Sequence, residues 1–375
     1  MCGAMRTGQY DVAVVGGGIG AVFHACSLAE RGHKVVIVAE GGSLMQELGL
    51  CRLPFPAAAE LAARHPVVRT WLELLKRHGG AQGDFLDPVW VQLLADRWVR
   101  ERGIDVIFEV VPVRLLTEAE MAEKSAGVIE GTDNMDVAES RQAGTRRAAV
   151  QIATREGLWE VPCKIAVDCT ESAVLAKSLF GSTSVLKESG HTFWALTTLN
   201  GDRLEQPLIS RCGYDEAVCD IRIAPSCWEN EFSITVAVSA ADKELRGEIA
   251  FLGALEQVFL ETKRQTGFEC GDLVHVSELS WSTPDFVLNA SGEDARQKDG
   301  AAAWVATPDG RTVAIGCWTA AAEAAIREAS LWDQGGVAVR LLAEAGLEAA
   351  DYVHNQLIGP GCAASGERIP ERAGG

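Results

Sequence analysis

Gly16, Gly18 and Ala21 stand at the spacing G-x-G-x-x-G/A within Asp11 to Glu40, DVAVVGGGIGAVFHACSLAERGHKVVIVAE, with Gly20 in the same turn. That spacing suits the seating of a dinucleotide pyrophosphate. The first glycine makes a tight turn, the second lets phosphate approach the backbone, and the third small residue lets a helix lie close on a strand. The helix that follows turns free N–H groups toward the phosphate. Glu40, about 20 residues beyond the glycines, is placed to accept a ribose hydroxyl. Val12–Val15 and Val35–Val38 are short apolar runs of the kind buried in a parallel sheet, and they are the strands that must hold the turn and the acid in place.

Other residues could carry chemistry if the loop Gly41 to Pro56 runs from the ribose toward a reactive ring. Cys51 and Arg52 then lie near that ring, the competing role for Cys51 being a small buried hydrophobe. His191 and His275 are acid or base candidates, each opposed by an ordinary structural role. His24 follows the turn in the first helix, where packing or an adenine-side contact is expected. Ten tryptophans stand against three tyrosines, and Trp194, Trp228, Trp281, Trp304 and Trp318 fall in the second half, where aromatic walls would suit a planar or apolar small molecule.

The chain has 375 residues, enough for two domains or one with an insertion. A formal net charge of −18 argues against a nucleic-acid or anionic-membrane partner. Eleven cysteines without C-x-x-C or zinc spacing argue for reduced thiols, no metal site and a cytoplasmic setting. No signal-peptide or membrane-spanning run is read in the sequence.

In chain order, residues 57–102 read as helices, with an Asp87-Pro88 start, a Gly103 stop, and the glycines at 79–83 as a C-cap that precedes no strand pair. Ile104–Leu116 reads as one strand, and Thr117–Gly144 as a surface connection. Arg147–Thr154, Leu158–Pro162 and Lys164–Asp168 read as a meander of three strands. Thr170–Ser172 is expected to cap the next helix. Residues 186–271 read as mixed α/β with a helix from Asp242 to about Thr266, and DLVHVSELSW as a strand. A hairpin turns at Asp309-Gly310, an alanine-rich helix is interrupted at Gly335-Gly336, and the tail after Asp351 is expected to be poorly ordered.

Three blocks, DVAVVGGGIGA with Glu40, IAVDCTESAVLA at 165–176, and IGCWTAAAEAAIREASLWDQGGVAVRLL at 315–342, make the chain resemble FAD-dependent oxidoreductases with a glutathione-reductase-type fold. The resemblance implies an α/β fold: a Rossmann-type FAD-binding domain, with parallel sheet plus β-meander, over residues 1–185 and 272–350. A mixed α/β substrate domain would be inserted at 186–271, with a C-terminal tail at 351–375.

It implies Gly16, Gly18, Gly20 and Ala21 at the pyrophosphate, Glu40 at the ribose and Thr170 on the FAD-binding face. Gly49 would lie near the isoalloxazine, Gly316 where the last strand approaches it, and Arg327 and Gly336 in the covering helix region. A cation such as Arg327 near the flavin N1–C2=O edge would stabilise a reduced anionic ring. Leu50, Glu171 and Cys317 depart from the family pattern and bear on how tightly FAD is held.

The activity implied is hydride transfer to flavin or flavin-mediated oxygenation of an organic small molecule. The alternatives are structural or regulatory FAD, or an NAD(P)-binding dehydrogenase. Substrate, electron acceptor, catalytic base and self-association into a homo-oligomer stay open.

Overall fold

The computed structural model describes residues 9–117, 120–121, 148–180, 183–185, 191–199, 208–239, 260, 273–288, 303–307 and 312–362, leaving aside 83–84, 215–216, 227 and 285. The expected connection at 118–144, the helix after Asp242 and the turn at Asp309-Gly310 lie outside those residues, apart from positions 120, 121 and 260.

The chain opens with β1 (Tyr10–Val15), α1 (Ile19–Glu30) and β2 (Val35–Val38), and β1 and β2 pair in parallel. Along β1, Val12 and Val14 face one apolar cluster while Ala13 and Val15 face another. Burial on both sides explains the unbroken apolar run, since alternating polar residues would have had no water to face. Each fully buried valine contributes about 1.5–3 kcal/mol relative to exposure.

The helical stretch resolves into α2 (Gln46–Gly49), α3 (Ala58–Arg64), α4 (Pro66–Arg77) and α5 (Pro88–Glu101). Asp87 caps α5 by accepting from the Trp90 N–H at 2.9 Å, with Pro88 in the first turn. Gly79 (φ 72°) and Gly103 (φ 67°) take the left-handed conformation that ends α4 and α5. One expectation fails: β3 (Ala81–Gln82) and β4 (Phe85–Leu86) form a small antiparallel pair directly after Gly79-Gly80. Two-residue strands carry too little pattern to be seen in sequence.

Ile104–Leu116 is two strands, β5 (Asp105–Ile107) and β6 (Val111–Leu116), and Glu109 between them has φ 56°. In the meander, β7 (Ala148–Thr154) is followed by one strand in place of the expected two. That strand, β8 (Gly157–Asp168), pairs antiparallel with β7 along its whole first half and parallel with β1 along its second. After β8 come α6 (Val174–Phe180) and β9 (Thr183–Val185).

A second sheet is built from β10 (His191–Leu199), β11 (Leu208–Tyr214), β12 (Ala217–Pro225), β13 (Glu231–Ser239), β14 (Leu273–Val276) and β15 (Trp281–Ser282), with every described pairing antiparallel. DLVHVSELSW is therefore split between β14 and β15. Then β16 (Phe286–Leu288) pairs with β9, and β17 (Trp304–Ala306) with β18 (Thr312–Ile315). The first sheet runs β17-β18-β8-β1-β2-β5, with β7 and β6 attached through β8. The expected α/β class, a parallel sheet with a meander, is borne out.

The chain closes with α7 (Ala320–Glu328) and α8 (Gln334–Cys362). The break between them falls before Gln334, so Gly335 and Gly336 lie inside α8, contrary to expectation. Their missing side chains have a packing reason: a Cβ on Gly335 would stand 3.0 Å from Leu53 and one on Gly336 3.0 Å from Pro56. The segment after Asp351 is also corrected, because α8 continues to Cys362. Ala349, Ala350 and Val353 are buried, which anchors the helix beyond its middle. Among the described residues no helix is long and apolar enough to cross a membrane.

Candidate functional site

The glycine turn joins β1 to α1, and two close approaches set its shape. Gly16 has φ 119°, and a Cβ there would stand 2.6 Å from the Cys169 carbonyl oxygen, so only glycine fits. Gly18 is the residue before α1 and has no capping side chain of its own. Gly20 serves another purpose. A Cβ on it would stand 2.8 Å from the Leu342 carbonyl, and one on Gly346 would stand 2.3 Å from the Gly20 carbonyl. The small residues thus also let α1 and α8 touch backbone to backbone. Ala21 is fully buried in the core.

The free N–H at the start of α1 is not left to solvent. Glu47, only 5% exposed, turns its carboxylate onto the turn and accepts the Ile19 N–H through Oε2 at 2.9 Å. Its Oε1 lies 2.2 Å from where a Cβ of Gly18 would be. The loop carrying Glu47 is pinned by the Met45 N–H, which donates to the Gly17 carbonyl at 2.7 Å, with Met45 at φ 52°. Burial pushes the Glu47 carboxyl up to about 7, and the charge of Glu171 adds to the rise. Glu47 carried no sequence signal apart from being an acid shortly after the second strand.

Glu40 follows β2 and is exposed, and the protein around it, with the charge of Asp168, raises its carboxyl. Asp168 ends β8 with no solvent exposure. Its Oδ1 accepts the Thr170 N–H at 3.0 Å and hydroxyl at 2.7 Å, and its Oδ2 accepts the Leu175 and Ala176 N–H groups at 2.7 and 2.8 Å. Asp168 therefore satisfies the start of α6. The expected cap from Thr170 is one bond, its Oγ1 accepting the Val174 N–H at 3.1 Å. Glu171 is raised by burial first and then by Glu40.

Gly316 and Cys317 follow β18. A Cβ on Gly316 would stand 2.2 Å from the Trp318 indole, and that indole donates to the Thr170 carbonyl at 3.1 Å. Trp318 also stacks on Phe286, with centroids 6.5 Å apart. Burial raises the thiols of Cys51, Cys169 and Cys317, with the charge of Glu47 contributing to each, so they are thiols and not thiolates. Cys51 donates to the Ser280 carbonyl at 3.5 Å.

The remaining expected residues each have contacts of their own. Gly49 packs on Gln92, where a Cβ would stand 2.8 Å away. Arg327 lies in the last turn of α7 and pairs with Glu323 one turn earlier. Gly336 packs on Pro56. His191 opens β10, its ring 6.2 Å from that of Phe193. His275 lies in β14, its pKa lowered by burial and by Arg52. His24 is fully buried, its Nδ1 3.0 Å from the Gly346 carbonyl, and its pKa is lowered to about 4 by burial.

The five tryptophans do not form one wall. Trp228 donates to Asp87 at 2.7 Å, Trp281 lies by Phe193, Trp304 by Tyr352, and Trp318 by Phe286. Trp194 is buried in β10. Among the described residues no cluster of His, Cys, Asp and Glu could hold a metal ion.

Residues 11–196 match the family model of FAD dependent oxidoreductases, in agreement with the FAD-dependent oxidoreductase part of the resemblance drawn from the sequence. A search of curated proteins returned no match. Among solved structures, CabE, an aromatic hydroxylase from angucycline biosynthesis, aligns at TM-score 0.54 and 15% identity, over 92% of this chain and 63% of its own. The myxobacterial chondrochloren halogenase CndH aligns at TM-score 0.58 and 15% identity, over 94% and 76%. The flavin-dependent brominase Bmp2 aligns at TM-score 0.57 and 12% identity, over 94% and 80%. At these identities the likeness is one of fold. The chain spans less than two thirds of the length of CabE.

The turn fits the pyrophosphate of FAD on its own terms. Its backbone is shaped by Gly16 and Gly18, and an anion, the Glu47 carboxylate, already stands in at the Ile19 N–H.

Proposed function

We propose, from the match of residues 11–196 to the FAD dependent oxidoreductase family, that the chain is an FAD-dependent oxidoreductase acting on an organic small molecule. The observation that carries this reading is the anion seat at the start of α1: a glycine turn between parallel strands whose Ile19 N–H is satisfied by a negative charge. When bound, FAD supplies the redox chemistry, by accepting hydride or by activating oxygen.

The chain's own residues would bind and orient. The backbone from Gly16 to Ala21 would hold the pyrophosphate and Glu40 the adenosine ribose. The segments at Gly49, Thr170, Gly316, Arg327 and Gly336 would border the remainder. Asp168 would position the Thr170 segment through its four hydrogen bonds. The buried thiols of Cys51 and Cys317 would line the site as neutral groups that exclude water. We assign residues 1–185 and 272–350 to FAD binding and residues 186–271, which carry β10 to β13, to the substrate; His191 and, from the adjoining β14, His275 would meet it. Buried free thiols such as Cys26 and Cys163 support a reducing, cytoplasmic setting.

Purified protein tests the reading. Flavin absorbance that co-purifies or returns on adding FAD, and that bleaches anaerobically with a reducing substrate, is expected. Protein that stays colourless with added FAD overturns it. Gly18→Val is expected to lose flavin while keeping its circular dichroism, because the added side chain fills the seat.

A further inference from the structure

Glu47 occupies the position that the proposed function gives to pyrophosphate. Its two oxygens lie on Gly18 and on the Ile19 N–H, so a phosphate oxygen and the carboxylate cannot both be there. The arrangement is built into the backbone: Met45 is held in a left-handed conformation by its bond to Gly17, and α2 begins at the next residue. The groups that face Glu47 are Glu171 and Cys169 from the segment after β8, Cys317 from the segment after β18, and Cys51 from its own loop. All are acids or thiols, so the carboxylate is held in place by N–H groups and not by an opposing side-chain cation among these neighbours.

We propose that Glu47 is a displaceable internal anion: its carboxylate and a dinucleotide phosphate compete for the Ile19 N–H, which the dinucleotide must take from it to bind. This rests on the FAD reading above. It adds that the chain competes with its own cofactor at that contact, so Glu47 sets nucleotide affinity and its dependence on pH.

The direction in pH follows from charge. Phosphate brought beside Glu47 favours its protonated form, so binding takes up a proton and affinity falls as pH rises through the carboxyl's value of about 7. FAD, followed by flavin fluorescence, and ADP, followed by calorimetry, are titrated into nucleotide-free protein at roughly pH 6 and roughly pH 8. Wild type is expected to bind FAD, whose pyrophosphate does not titrate in this range, about tenfold more weakly at the higher pH, and Glu47→Gln to bind it about equally at the two values and about tenfold tighter than wild type at the higher one.

Melting curves check that Glu47→Gln folds. If it does not, Glu47→Asp, one methylene too short to reach Ile19, is expected to tighten binding at high pH in the same way. A variant whose affinities and pH dependence match wild type overturns the proposal while leaving the FAD reading intact. If neither protein binds FAD or ADP at either pH, the FAD reading fails and the proposal falls with it.

Discussion

The indole N–H of Trp318 donates to the Thr170 carbonyl at 3.1 Å, tying the segment after β18 to the segment after β8. Both carry family departures, Cys317 and Glu171, so this bond fixes the spacing between them.

Trp318→Phe keeps an aromatic ring on Phe286 and loses the donor. A loss of about 0.5–1.5 kcal/mol is expected in urea unfolding, because the buried Thr170 carbonyl loses the indole donor and keeps the Ala173 N–H. Gly316→Ala should cost at least as much, since its methyl would enter the indole at 2.2 Å. A stable, fully folded Gly316→Ala protein would contradict this packing.

Asp168 is the second pivot. Asp168→Ala strips four hydrogen bonds from a site without solvent, and a loss of about 3–5 kcal/mol is expected. Asp168→Asn retains acceptor capacity at one oxygen and should cost less. Chemical denaturation of the two variants side by side checks the order.

His24 gives a pH signature. Its folded pKa of about 4 lies below the ordinary histidine value, so the unfolded chain takes up a proton first as pH falls. Stability linked to His24 is complete above about pH 6.5 and is lost toward about pH 4, on the order of 3 kcal/mol in all. His24→Leu should flatten that part of the melting profile. A variant with the wild-type slope there would exclude His24 as its source.

The α1–α8 contact offers a steric test. Gly346→Ala would place a methyl 2.3 Å from the Gly20 carbonyl, within two helices that cannot move apart without opening the core. A loss of about 2 kcal/mol or more is expected, despite alanine's better helix propensity. Calorimetric melting measures it.

Much of the fold was legible because its signals are local. The β1–α1–β2 unit, the Asp87-Pro88 start and the Gly103 stop each lie within a few residues of what they determine. What escaped depends on partners far along the chain. Gly335 and Gly336 look like helix breakers until Leu53 and Pro56 are seen against them. β8 looks like two strands because its halves serve different neighbours.

The candidate site divides in the same way. The glycine turn was readable from spacing, but Glu47 looks like any acid in a short helix until it meets an N–H 28 positions earlier. Thr170 drew notice as a cap, while Asp168, two residues before it, accepts most of the bonds.

The order of pairing in the central sheet has a consequence for synthesis. β8 gains β7 and β1 as soon as it is made, but the second parallel partner of Ala166 to Asp168, on the edge away from β1, is β18, whose first residue is Thr312. A chain emerging from the ribosome therefore carries an apolar, unpaired edge in the middle of its future sheet while the whole second sheet is translated. Such an edge is a template for wrong partners. Nascent chains stalled before residue 312 should need chaperone protection, and release from it should coincide with the arrival of β18.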